Sequence, residues 1–182
     1  MSESPFEFRG INHLALVCQD MARTVEFYRD VLGMPLIKTV ELPVGMGQHF
    51  FFDCGGGDAL AFFWFADAPP HAPGIAAPAN RPDKGKLASA HGSMNHVAFN
   101  VPEAVIESYV ERLRDAGVPC SDLANHDDSE WGISKDMHPG VFVRSIYFQD
   151  PDGILLEFAA WTRPLTADDV AHEPVHTLPV VG

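Results

Sequence analysis

Ile11-Asn12-His13-Leu14-Ala15-Leu16-Val17 and Met94-Asn95-His96-Val97-Ala98-Phe99 are two copies of one pattern within a chain of 182 residues. Each copy alternates apolar residues with a period of two, as a strand with one buried face does, and carries the dipeptide Asn-His at the same place. A helical stretch follows each copy, over 20–32 in the first and 103–116 in the second. The first places Met21, Val25, Phe27, Tyr28, Val31 and Leu32 at helical spacing, and the second places Val105, Tyr109, Val110 and Leu113. Gly33 and Gly117 close these helices, the residue type expected of a left-handed C-terminal cap. An internal repeat of this kind settles the architecture before any local reading does.

Three strand-like stretches follow each helix. In the first half they are 36–42, 48–54 and 59–65; in the second they are a short one after Pro119, then 141–149 and 154–159. The expected fold is therefore α+β, two tandem βαβββ modules over 7–66 and 92–161. Residues 67–91, rich in Pro, Ala and Gly, read as a linker or flap, and 162–182 as a polar tail with a short helix after Thr166. The stretch 125–140 shows no periodicity and reads as a long loop holding Asp127, Asp128, Glu130, Trp131 and His138.

Composition narrows the classes of function. With 46% hydrophobic residues the chain can bury a core. A net charge of −13 with twelve Lys and Arg argues against a nucleic-acid partner or an anionic membrane surface. The N-terminus lacks a signal-peptide pattern and no stretch approaches the ~20 apolar residues of a membrane span, so a cytoplasmic protein is expected. Cys18, Cys54 and Cys120 are odd in number and widely spaced, which suits a reducing compartment and buried thiols.

The chemistry is expected at the repeat. His13 and His96 occupy equivalent strand positions, so two related strands present one imidazole each. Glu157 sits in the middle of the apolar run Ile154-Leu155-Leu156-Glu157-Phe158, where an unpaired carboxylate would be expensive. Taken singly, a strand His reads as a satisfied core or surface residue and a strand Glu as one half of a salt bridge. Taken together at repeat-related positions, two imidazoles and one carboxylate form the facial triad that suits non-haem Fe(II) and also accepts Mn, Zn, Ni or Co. The run Gly55-Gly56-Gly57 has no helix after it and reads as a hairpin turn, not a phosphate loop.

Asn-His-x-Ala with Phe27-Tyr28-x-Asp30-Val31-Leu32-Gly33-Met34, and Tyr147-Phe148-x-Asp150-Pro151-Asp152-Gly153-x-x-x-Glu157-Phe158, resemble the vicinal oxygen chelate superfamily from about Gly10 to Trp161. This superfamily groups glyoxalase I, the bleomycin and fosfomycin resistance proteins, methylmalonyl-CoA epimerases and type I extradiol dioxygenases. The resemblance implies a curved sheet around a metal with up to four ligand positions, here His13, Ala61, His96 and Glu157. Ala61 cannot ligate, which leaves three ligands, as in the extradiol enzymes.

The spacing His138, Ile146-Tyr147, Asp150-Pro151-Asp152-Gly153, Glu157 is similar to the extradiol pattern, with Asp136 as a departure. It implies that Tyr147 and His138 donate hydrogen bonds to oxygens of a bound catecholate, with O2 as co-substrate. A base is also needed, and the family's histidine is replaced here by Asp58, with His49 as an alternative on the preceding strand; Asp58 also reads as a turn residue. The expectation is a metal-dependent dioxygenase of a small, catechol-like molecule, working as a homodimer. A glyoxalase-type lyase or isomerase and a non-catalytic, resistance-type binder are the alternatives.

Overall fold

The computed structural model describes residues 11–69 and 94–170. Most of the predicted linker and the end of the predicted tail, 171–182, lie outside the described residues. In the first half β1 (His13–Val17) leads into α1 (Met21–Val25), then β2 (Leu36–Glu41), β3 (Gly47–Gly55) and β4 (Asp58–Phe65). In the second half β5 (Val97–Asn100) leads into α2 (Ile106–Asp115), then β6 (Ala124–His126), β7 (Val143–Gln149) and β8 (Leu155–Trp161). Each half forms one four-stranded mixed sheet, in the orders β1-β4-β3-β2 and β5-β8-β7-β6, so the two topologies are identical. The first and last strand of each unit pair in parallel and the other neighbours antiparallel.

The helices differ in detail from the sequence expectation. Asp20 caps α1 by accepting from the Arg23 amide at 3.1 Å, but the helix loosens to π geometry over Glu26–Val31. That widened turn seats both Phe27 and Tyr28 in the core. The second helical stretch opens as a 3-10 turn, Glu103–Val105, directly after Pro102. Gly33 and Gly117 hold φ of 74° and 76°, the left-handed conformation their position after a helix requires. Beyond β8, the short helix expected after Thr166 is a 3-10 turn, Ala167–Asp169, whose Asp169 is paired with Arg163 at 2.6 Å.

One apolar core joins both halves. Tyr28 packs against Phe52 and Phe62 of the first sheet, while Tyr109 packs on Phe158 of the second, and these side chains belong to a single cluster with Ile106, Ile146 and Leu156. Polar bonds cross the same boundary: the Tyr28 hydroxyl donates to Asp150 at 3.0 Å, and the Gln19 side chain donates to Asp152 at 3.0 Å. A cavity of about 410 Å³ between the halves is lined by Val31, Met34, Cys54, Phe99, Tyr109 and Phe158, among others. The helix-bearing faces of the two sheets therefore share the core, and their opposite faces point away from it. Among the described residues no helix is long and apolar enough to cross a membrane.

Candidate metal centre

Strand alternation assigns each candidate residue to a face. In the first sheet His13 and Ala15 pair with Ala59 and Ala61 on β4, and Phe51 on β3 pairs with Ala61. In the second sheet Ala98, two residues after His96, pairs with Glu157, and Tyr147 pairs with Glu157. Ala61 and Glu157 thus occupy the same register position in the two repeats, and so do Phe51 and Tyr147. His13, Ala61 and Phe51 of the first half and His96, Glu157 and Tyr147 of the second lie on the faces that point away from the shared core.

His96 and Glu157 come together. His96 Nε2 stands 2.8 Å from a Glu157 carboxylate oxygen, and His96 Nδ1 is 2.7 Å from the Asn95 side-chain oxygen. Asn12 holds His13 Nδ1 in the same way at 2.8 Å. An amide oxygen can only accept, so both imidazoles carry a proton on Nδ1 and turn Nε2 toward the open face. Such an outer partner is what orients a metal-binding histidine. Glu157 is nearly buried, at 5% exposure, in the apolar strand β8.

Burial pushes the Glu157 carboxyl up, but its polar neighbours, the hydrogen bond from His96 foremost, outweigh it and hold the group below its ordinary range. The same bond to Glu157 raises the His96 pKa against the opposing effect of burial. An anionic oxygen and an imidazole nitrogen that converge with the carboxylate kept ionised fit a divalent cation, which would replace the shared proton.

The third candidate is apart from them. His13 is exposed on the first sheet, edge-on to Phe51 with ring centroids 5.5 Å apart, and among the described residues no three His, Cys, Asp or Glu side chains gather as a cation site. His96 meets Tyr147 edge-on at 6.0 Å, so each histidine has an aromatic ring at the same relative position.

Two of the residues expected to act on substrate are placed elsewhere. His138 Nε2 is 3.0 Å from Asp127, and its Nδ1 accepts from the Gly140 amide at 3.1 Å, so both ring nitrogens are engaged within the loop. Asp58 opens β4 after the Gly55–Gly57 turn and accepts the Cys54 thiol on its backbone oxygen at 3.2 Å. Alternation sends Asp58 to the side opposite Ala59 and Ala61, away from His13.

His49 does share the His13 face: it stacks on Phe63 at 3.6 Å, and its buried Nε2 has no partner among the described residues. Burial, then the proximity of His13, lowers its pKa.

The structure also brings in a residue that sequence reasoning passed over. His126, on β6 at the start of the stretch read as a loop, has Nε2 3.1 Å from the Tyr147 hydroxyl and Nδ1 3.1 Å from the Gly132 carbonyl. A three-residue strand offers too short a run for alternation to be visible, and the Asn-His-Asp-Asp composition hides it. Burial and the neighbouring Glu157 charge push Tyr147 up to about 12.

Residues 10–158 match the model of the Glyoxalase/Bleomycin resistance protein/Dioxygenase superfamily, and the chain belongs to that family. The metallothiol transferase FosB of Shouchella clausii (strain KSM-K16) is 26% identical over 163 residues, covering 90% of this chain and 86% of the relative. MhqE of Bacillus subtilis (strain 168), whose name proposes a ring-cleaving dioxygenase, is 26% identical over 113 residues, 60% of this chain and 32% of that longer protein. The solved glyoxalase family protein from Enterococcus faecalis superposes with a TM-score of 0.58 at 22% identity, over 84% of this chain and 98% of its own. Members of the superfamily are often metal-dependent enzymes that bind small molecules.

Proposed function

We propose that this chain is a metal-dependent dioxygenase of extradiol type, in which His13, His96 and Glu157 hold one divalent transition metal, Fe(II), and the substrate is a catechol-like small molecule used with O2. The observation that carries this reading is the convergence of His96 and Glu157 at 2.8 Å, with alanine at the register position of Glu157 in the other repeat. Three ligands leave positions open for two vicinal oxygens and a second small molecule. Fe(II) bound there would supply Lewis acidity and a route for O2 chemistry.

The chain's own residues would do the rest. Asn12 and Asn95 keep both imidazoles aimed, Glu157 supplies the negative charge, and Tyr147 meets the substrate oxygens beside His96. His49, Phe51, Phe63 and Phe65 form a wall of rings on the His13 face, suited to a planar aromatic molecule. Among the described residues, Lys38 is the one lysine or arginine at a strand position on the two outward-pointing faces, which favours a neutral aromatic over a strongly anionic substrate.

Because the two histidine-bearing faces point away from the shared core, the reading takes His13 of the partner subunit to complete the triad, the first sheet of one copy lying over the second sheet of another. Exposed Val17 and Trp161 would be covered in such a homodimer.

The test is to express the protein anaerobically, quantify bound metal, and add a catechol panel under O2. No yellow ring-fission product from an iron-loaded dimer would sink the dioxygenase reading. A second reading, metal-dependent thiol transfer, is favoured by the FosB relative that aligns with 90% of this chain. It predicts metal-dependent loss of free thiol in the presence of an electrophile, without consumption of O2.

A further inference from the structure

Behind the strands that carry His13 and Glu157, the two halves leave a space between their helix layers. This cavity of about 410 Å³ has a mainly apolar wall in which Met34, Cys54, Phe99, Tyr109, Leu113 and Phe158 take part. Protein interiors hold few voids larger than a water molecule, whereas hollows of about 300–1,000 Å³ with apolar and aromatic walls, set between two structural units, are typical small-molecule sites. Exposed Gly33, Arg112 and Ala116 edge the cavity, so it is reached from solvent.

The wall carries one charged side chain. Asp53 and Asn100 border the cavity, but strand register pairs them with Ala59 and Ala159, on the opposite faces of their sheets, so they meet it with backbone. The Asp53 carboxylate accepts from the Gly55 amide at 2.8 Å instead. Arg112, on α2, remains. Its guanidinium carbon lies 5.2 Å from the centre of the Tyr109 ring, and Tyr109 stands edge-on to Phe158 at 5.4 Å, so the cation rests on an aromatic floor. Among the described residues Arg112 is the one arginine with no hydrogen-bond acceptor; every other reaches a carboxylate or a carbonyl. In a chain of net charge −13, a planar fork of N–H donors is left unclaimed beside an apolar cavity.

We propose that this cavity is a second binding site, separate from the candidate metal centre, that takes a small monocarboxylate with an aromatic or branched hydrocarbon body. The carboxylate pairs with the Arg112 guanidinium through two parallel hydrogen bonds, and the body fills the space beside Met34, Phe99 and Phe158. A cationic molecule would set its charge against Arg112, and a dicarboxylate would bury a second charge without a partner. Glu157 and Phe158 are consecutive on β8 and face opposite sides, so the two sites stand back to back. Because both halves supply the wall, an occupant bridges them and stabilises their union increasingly with its concentration.

Binding of 3-phenylpropanoate and of 3-phenylpropan-1-ol, its uncharged counterpart, to the full-length protein is measured by titration calorimetry. Wild type should bind the carboxylate about tenfold or more tightly than the alcohol, since a hydrogen-bonded charge pair contributes roughly that factor. Arg112→Gln, a change at an exposed position, should lower carboxylate affinity by about tenfold and leave the alcohol within about threefold of wild type. His96→Ala should leave both affinities within about threefold, which separates this cavity from a carboxylate held at the metal centre. Undiminished carboxylate binding by Arg112→Gln, or its loss in His96→Ala, overturns the proposal, as does a wild type that binds neither probe.

Methyl spectra of methionine-labelled protein locate the probe without any variant. The Met34 methyl should show contacts to the phenyl ring. Contacts at other methionines without Met34 overturn the assignment. Neither measurement involves O2 or ring cleavage, so the dioxygenase reading stands or falls separately.

Discussion

The two halves of this molecule share a strand order and a histidine, and they differ at two register positions beside it. The first half sets Ala61 and Phe51 around His13; the second sets Glu157 and Tyr147 around His96. Each histidine is steadied by the asparagine before it and flanked edge-on by an aromatic ring. Both faces carry a second imidazole, but His49 is stacked into an apolar wall of rings on the first, whereas His126 stands beside the charge of Glu157 and the Tyr147 hydroxyl on the second. A duplicated scaffold has kept its geometry and divided its chemistry, because side chains on the outward face can change while the core-facing set stays packed.

The largest expected effect makes the second half resemble the first. Glu157→Ala should weaken metal binding by at least about 100-fold, as should His13→Ala and His96→Ala, since loss of a group that merely hydrogen-bonds a metal ligand typically weakens it by about 10–100-fold. Metal analysis after dialysis against a weak chelator reads this out, and retention of metal by two of the three variants would remove the triad.

The bond between the halves comes next. Tyr28→Phe removes the donor to buried Asp150 and should lower stability by about 1–3 kcal/mol. A single cooperative unfolding transition that moves as a whole would show that the halves form one unit, whereas two separate transitions would break the picture of a shared core.

A smaller effect follows pH in metal-free protein. His96 titrates above its ordinary value in the folded state, so its contribution to stability is present below the unfolded value of about 6.5 and is lost as pH rises through the raised one. Glu157 titrates below its ordinary value, so its contribution is present above the unfolded value of about 4.3 and is lost as pH falls through the lowered one. Stability from the pair should therefore be greatest between about pH 4.3 and 6.5, and Glu157→Gln should flatten the profile. A proton NMR titration in which His96 does not fall on going to Glu157→Gln would contradict the pairing.

The smallest effect is Tyr147→Phe, which copies Phe51 into the second half and removes one hydrogen bond to His126. It should lower stability by about 0.5–1.5 kcal/mol. A change larger than that in Tyr28→Phe would mean that the outward face holds the fold as firmly as the core does.

The fold was largely legible because repetition amplifies weak signals. Two alternating runs, each followed by an apolar helix stripe and a capping glycine, were enough to read two βαβββ units, and the pairing of Ala15 with Ala61 and of Ala98 with Glu157 keeps the alignment made from sequence. Less was legible where segments are short or polar. His126 lies on a strand of three residues, and the π geometry after Val25 leaves no mark in the spacing. Sequence spacing related His138 to Tyr147, yet spacing along a chain carries no information on which way a long loop folds. In the structure His138 turns to Asp127, and His126 takes the place beside Tyr147.

By itself the sequence determined the periodicities, the duplication, the asparagine–histidine pairs and the unusual carboxylate in an apolar strand, because these depend on local backbone geometry and on the cost of burying charge. Only the tertiary structure decided which faces meet. It joined His96 to Glu157, sent Asp58 to the opposite side of its sheet, and packed the two helix layers together so that His13 looks away from the other two. Those outcomes depend on how apolar surfaces distant in sequence are buried against one another, which no local pattern encodes.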